Sequence, residues 1–364
     1  MGKKTVLYKV HSEMGQIVEF AGFDMPLRYN GISSEVMSVR NRAGLFDVSH
    51  VGRVVISGEG AGPFLDYITS NEISKLELYQ ARYALICNEN GGIKDDVIVI
   101  RTGDRSYLVV WNATNREKNM KWVNEHVGGF DVEIEDISDR SFMLALQGPL
   151  AEVILQPICS KRLDVVKRFR GLEGYIKAAK CIITRTGYTG EDGFELISED
   201  TVMAEDVWRS LISSGATPAG LGARDVLRIE AGLPLYGHEI NEEINPFEAG
   251  LDFAVKLQKE NFVGKEALER LKDSISRKRM GIKMMERGIP REGYKVFSEE
   301  KEIGFVTSGT YSPTINCGIA MAYLPLGMKT GDEVKVKIRE RYERGAISNL
   351  PFYDVEKYGW KRKR

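Results

Sequence analysis

Two hydrophobic periods alternate along the chain up to about residue 276. Apolar residues three and four apart predict helices over 32–43, from about 64, and over 117–125, 150–155, 202–213 and 264–274. Ser33 or Ser34 is the expected cap of the first. Between them, short runs rich in Val, Ile, Tyr and Phe predict strands over 54–56, 83–87, 95–100, 107–111, 141–146, 181–183 and 194–197. Beyond Arg277 the helical period disappears. Alternating strands over 302–306, 318–323 and 333–338, divided by Gly, Pro and Ser-Thr turns, predict a small all-β barrel or sandwich. The pattern is α+β with an all-β end, and a domain boundary near 277.

Three stretches interrupt these periods in ways that suggest chemistry. In Arg185-Thr-Gly-Tyr-Thr-Gly-Glu-Asp-Gly-Phe-Glu195, glycines 187, 190 and 193 permit positive φ and close approach of a ligand or another backbone. Apolar segments flank the stretch, so it reads as a glycine turn between strands, with Glu195 opening the second. Glu195 then stands either at a cavity edge or on a plain solvated hairpin. The second stretch runs from Tyr83 to Ile100 around the hairpin signal Asn90-Gly91. Its return strand sends Asp96, Ile98 and Ile100 to one face and Asp95, Val97 and Val99 to the other. Both faces are apolar beyond the aspartates, so at least one carboxylate borders a buried region and needs a partner. A solvated turn, a metal pair and a carboxylate facing a cationic substrate all fit. The metal is weakest, because no acidic or histidine cluster at ligand spacing accompanies the pair. In the third stretch, after Gly220-Leu-Gly222, Arg224 and Arg228 lie four apart near a helix start, where cations oppose the helix dipole. They answer Asp225, Glu230 or a ligand carboxylate.

Two tempting motifs carry less. His50 lies beside Ser49 and Asp47, but neighbours this close seldom form a nucleophile relay, and a structural histidine is expected. Gly58-Glu-Gly-Ala-Gly62 resembles a dinucleotide turn, yet Pro63 stands where the fingerprint requires glycine.

Charge narrows the partners. Lysine plus arginine (51) nearly balance aspartate plus glutamate (52), which gives no global field toward nucleic acid or an anionic membrane. The basic residues 361–364 are expected to be a solvated end. Cys87, Cys159, Cys181 and Cys317 are widely spaced with no Cys-x-x-Cys pair, which suggests reduced thiols and no structural zinc. No apolar run has the length of a signal peptide or of the ~18 residues of a membrane span, and a cytoplasmic protein is expected.

Several blocks together resemble one family. They are Phe46-Asp-Val-Ser-His50, Asn88-Glu-Asn-Gly-Gly-Ile-Lys-Asp-Asp96, Gln147-Gly-Pro149, the glycine turn 185–195, Gly220-Leu-Gly-Ala-Arg-Asp225, Asn245-Pro-Phe-Glu248 and the segment from Ile303 to Pro313. In these the chain is similar, almost end to end, to the aminomethyltransferases, the T-proteins of the glycine cleavage system. The resemblance implies a three-domain ring around a central folate cavity. Two discontinuous α+β domains, 1–48 with 139–243 and 49–138 with 244–276, are followed by a C-terminal β-barrel, 277–364. It also implies transfer of an aminomethyl carbon from the lipoyl arm of H-protein to tetrahydrofolate, with no metal, nucleic acid or membrane involved. By the same resemblance Glu195 would take the pterin's adjacent N–H donors, and Arg224 would lie near the bound folate. Tyr83, Tyr188 and Asn112 would wall the pterin, and Asp96 would face the cationic character that develops as folate attacks. Pro351-Phe352 fits the family, but neither Tyr353 nor Tyr358 aligns with its folate-contacting tail. A non-catalytic folate-binding protein and a related folate-dependent demethylase remain alternatives. The Lys-Gly-Cys block of a non-transferase relative is absent, as is any flavin fingerprint.

Overall fold

The computed structural model describes residues 2–362. Its centre is the strand Phe142–Gln147, buried at every position. Period two divides that strand between two cores. Phe142, Leu144 and Leu146 pack with Leu155, Trp208 and Leu211 from the helices Ala151–Leu155 and Ala204–Ser213. Met143 and Ala145 face the other way, into a core with Val36 and Val39 of the helix Ile32–Asn41 and with Val226 and Leu227 of the helix Leu221–Glu230. The strand belongs to a six-stranded sheet in the order Gly171–Ile176, Ala179–Thr184, Gly193–Ser198, Phe142–Gln147, Gly44–Asp47, Thr217–Pro218. All its neighbours are antiparallel except the last pair.

A second, antiparallel sheet runs Ala81–Cys87, Ile93–Gly103, Ser106–Trp111, Gly52–Ser57, Glu133–Asp136. Ile100 and Leu108 join the core between the two sheets. Val97, Val99 and Val109 point to the opposite face, against the helices Ala61–Ile68 and Arg116–His126. The alternation along 95–100 therefore turns Asp96 toward the space between the sheets and Asp95 toward the outer helices. Phe247, Leu251, Phe262 and Leu268 cover Leu85, Cys87 and Ile93. Six further strands close a barrel from Arg277–Met284 to Arg341–Ser348. No helix among the described residues is long and apolar enough to cross a membrane.

Two local expectations need correction. Neither Ser33 nor Ser34 caps the first helix, whose N-cap is Gly31. Glu35, inside the first turn, instead fastens the approach to the helix, accepting the Tyr29, Asn30 and Gly31 N–H groups on one oxygen and Gly220 N–H on the other. A buried carboxylate can satisfy four donors where a serine hydroxyl satisfies one. The hairpin expected at Asn90-Gly91 is present, joining Ala81–Cys87 to Ile93–Gly103 through a loop over 88–92, closed by Asn88 Oδ1, which accepts from the Asn90 and Gly92 N–H groups. Finally, the basic segment is not solvated throughout: Lys361 is exposed, but Arg362 is tied down. Arg362 donates to Glu191 Oε2 at 2.9 Å and to the Arg40 carbonyl at 2.8 Å, because the buried Glu191 requires cations around it. Lys363 and Arg364 lie outside the described residues.

That last contact belongs to a buried cluster. Arg40 is fully buried, bonded to Glu230 at 2.7 Å and to Glu191 at 3.0 Å, with its guanidinium 4.5 Å over the Tyr353 ring. Gly359 N–H donates to Glu191, Trp360 N–H to the Gly190 carbonyl and Phe352 N–H to the Glu230 carbonyl. Residues 351–362 are thus drawn as a strap from the barrel back across the glycine turn.

Candidate active site

A cavity of about 720 Å³ opens where the two sheets, the barrel and the strap meet. Its volume lies in the usual range for a small-molecule site. Tyr83, Asp96, Asn112, Tyr188, Glu195 and Arg224 all line it.

The glycine turn supplies one wall. Glu195 lies opposite Ala145 and Thr184, inside the six-stranded sheet. The turn before it is held from both ends. Arg185 bonds Asp192 at 2.5 Å and Glu152 at 2.9 Å, while Gln147 donates to the Thr186 carbonyl and accepts from Thr189 Oγ1. Gly190 has φ +78°, and a Cβ there would stand 2.2 Å from the Tyr353 hydroxyl oxygen and 2.7 Å from Ala231 Cβ. Gly190→Ala is therefore expected to destabilise the protein by at least ~1 kcal/mol and to loosen the strap. A denaturation midpoint and limited proteolysis of 351–362 would measure both effects.

Thr186 Oγ1 donates to Glu195. Burial pushes the Glu195 carboxyl above its ordinary range, and the Thr186 bond and the Arg224 charge pull it back. The Arg224 guanidinium sits 4.7 Å over the Tyr188 ring, whose hydroxyl donates to the Pro234 carbonyl. Arg224 makes no side-chain hydrogen bond or ion pair among the described residues. Arg228, four positions on, is fully engaged with Glu239 at 2.8 Å, Asp225 at 2.9 Å and Ser308 at 2.7 Å. Glu230 is taken by Arg40, so Arg224 is left facing the cavity with its donors free.

The second sheet supplies the opposite chemistry. Asp95 is fully buried and accepts from Asn112 N–H, Asn112 Nδ2, Asn115 Nδ2 and Asn119 Nδ2. Its oxygens are thereby taken up by amide donors. Asp96 accepts from the Tyr83 hydroxyl at 3.1 Å and from Asn112 Nδ2 at 2.8 Å. Asn112 spends both Nδ2 protons on the two aspartates, so its Oδ1 is fixed as the acceptor end of that amide. Burial raises both carboxyls above their ordinary range. At Asp95 the charge of Asp96 adds to that, and at both the amide donors oppose it.

His50 also lines the cavity. Burial, reinforced by Arg224 and Arg53, pushes its imidazole down to about 3, so it is neutral. Asp47 bonds His11 Nε2, Thr5 and the Ser49 N–H, so no Ser49-His50-Asp47 relay forms. Phe253, Arg168, Trp360 and Lys361 line the cavity as well. They lie in short turns or on the strap, where no hydrophobic period marks them.

Residues 7–259 match the family model of the GCVT N-terminal domain, and 277–354 match that of the glycine cleavage T-protein C-terminal barrel domain. An aminomethyltransferase of Rubrobacter xylanophilus is 47% identical over 354 residues, spanning 96% of this chain and 94% of the relative. One from Geobacillus kaustophilus is 44% identical over 365 residues, spanning 97% and 99%. The crystal structure of glycine cleavage system aminomethyltransferase T from Bartonella henselae superposes with a TM-score of 0.91 at 34% identity, covering 99% of this chain and all of that one.

Proposed function

Since the chain belongs to the aminomethyltransferase family of the glycine cleavage system, we propose that its cavity holds tetrahydrofolate as acceptor and admits the aminomethylated lipoyl arm of H-protein as donor. It is a transferase, and the reaction needs no protein nucleophile. The aminomethyl carbon leaves the lipoyl sulfur and becomes the methylene bridge between two folate nitrogens. The two protons those nitrogens lose go to the departing amine, released as ammonia, and to the lipoyl thiolate.

One observation carries the residue roles. Glu195 and Asp96 come from different sheets, open on the same cavity, and neither is ion-paired to a protein cation among the described residues. Each is an acceptor whose remaining capacity a ligand can use. Glu195 suits the adjacent ring N–H and exocyclic amine of the pterin, and the nearby Arg224 charge opposes the upward push of burial on its carboxyl. Tyr188, Tyr83 and the Asn112 amide wall the ring. Asp96 faces the carbon and nitrogen on which positive charge develops, and it accepts a proton shed by folate. Tyr83 and Asn112 hold its oxygens in place.

The sheets support a division into 1–48 with 139–243, 49–138 with 244–276, and 277–364. The six-stranded sheet draws only on residues of the first group, and the five-stranded sheet only on the second. The four cysteines are free thiols, which suits the cytoplasmic location we assign.

Glu195→Gln tests the pterin site. The amide keeps the size but places a donor against a ligand donor. Losing a charge-assisted bond of ~1.5–3 kcal/mol should weaken tetrahydrofolate binding at least tenfold, with little change in the thermal melt. Calorimetric titration measures this directly, and unchanged affinity would remove Glu195 from the site.

A further inference from the structure

The cavity has two chemically different rims. Beside the strap, Arg168 lies 4.4 Å over the Trp360 ring, and Lys361, on the strap itself, lies 5.2 Å from it. Neither cation makes a hydrogen bond or ion pair with a carboxylate among the described residues, so this rim suits the anionic end of a ligand. The other rim is built around Phe253. The residue is 61% exposed, yet it also lines the cavity, and its ring stacks on Tyr83 at 5.8 Å and 25°. The Tyr83 hydroxyl in turn bonds Asp96. An aromatic ladder thus runs from solvent to the carboxylate assigned to the reacting centre.

Phe253 cannot withdraw from this position. It sits in the 3-10 turn Asp252–Ala254, whose neighbours Leu251 and Ala254 are buried against Leu85 and Phe262. Leu251 N–H donates to the Pro246 carbonyl, and the Ala254 carbonyl accepts from Ser70 Oγ. The turn is pinned on both sides and presents the phenyl outward.

We propose that Phe253, with Tyr83 beneath it, is the port through which the lipoyl arm of H-protein reaches Asp96. This rests on the transferase reading above. The arm is long and, up to its terminal amine, largely apolar, so it takes the aromatic rim, and its amine is carried to Asp96. Folate, with its glutamyl carboxylates, takes the cationic one. Covering the exposed phenyl with the arm removes apolar surface from water only when the donor is lipoylated.

The test compares Phe253→Ala and Phe253→Leu with the unsubstituted protein, varying aminomethylated H-protein at saturating tetrahydrofolate. Phe253→Ala should raise KM for H-protein roughly tenfold with kcat nearly unchanged, and Phe253→Leu should recover most of that loss. Folate affinity, the thermal melt and affinity for unlipoylated H-protein should all stay level. An unchanged KM overturns the port. A loss of folate affinity also overturns it, by making Phe253 part of the folate wall. If the unsubstituted protein forms no methylene-folate from aminomethylated H-protein, the transferase reading itself fails.

Discussion

Asp96→Asn should abolish most turnover while leaving tetrahydrofolate bound. The substitution keeps the shape and one oxygen acceptor, so Tyr83 and Asn112 retain a neighbour of the right size. What disappears is the fixed negative charge opposite a developing cation. Removing one preorganised electrostatic contact of this kind typically costs ~10²–10³ in rate. Folate affinity should change little, since the proposed pterin contact is Glu195, on the other sheet. The pH profile adds a separate readout. Burial lifts the Asp96 carboxyl, so activity of the unsubstituted enzyme should fall on acidification at a pH above the ordinary carboxylate range. That acidic limb should be missing from the residual activity of Asp96→Asn. Asp95→Asn is the informative control, because Asp95 meets only amides and lies on the outer face of the strand. If Asp95→Asn lost the reaction and Asp96→Asn kept it, the assignment of the reacting carboxylate would be wrong.

The largest effect on stability is expected from Arg40→Met. Burial alone would depress the Arg40 guanidinium, but Glu230 and Glu191 more than offset it. Methionine keeps the apolar stem and leaves two buried carboxylates facing each other, with Arg362 the remaining cation in contact with Glu191. Breaking a buried ion pair by deleting one partner costs ~3–5 kcal/mol. Arg40→Lys should cost less, because it keeps the charge and loses only the fork that reaches both glutamates. Equilibrium unfolding in urea measures the loss. Protease susceptibility of residues 351–362 in the same variants reports whether the strap detaches first. An Arg40→Met protein with an unshifted unfolding midpoint would show that the cluster contributes nothing net.

How much of this was legible from the chain depends on the range of each interaction. Asp95 and Asp96 could be sent to opposite faces because a strand's period is two and the following Val-Ile-Val-Ile run leaves no doubt about register. Glu195 could be singled out because three glycines and flanking apolar runs mark a turn between strands. The partners that decide what these groups do lie far away in sequence. Arg228 finds Ser308 across 80 positions, Arg40 finds Glu230 across 190, and Arg362 finds Glu191 across 171. No local pattern records such pairings, so the tail read as solvated and Arg224 could not be told from Arg228. The helix cap failed for a related reason. Serine is the common local solution, but Glu35 serves Gly220 as well, a demand visible only once the two segments are adjacent.

The strap has a consequence for how the protein matures in the cell. Synthesis delivers both sheets and the whole barrel before residues 351–362, yet those residues form one side of the cavity and return to Glu191 in the first sheet's glycine turn. Until residue 362 has cleared the ribosome, Glu191 is without its Arg362 and Gly359 partners, and the cavity lacks a wall. A nascent chain arrested anywhere before Pro351 would therefore hold both sheets and the barrel and still lack that wall. The cavity is closed by the last part of it to be made.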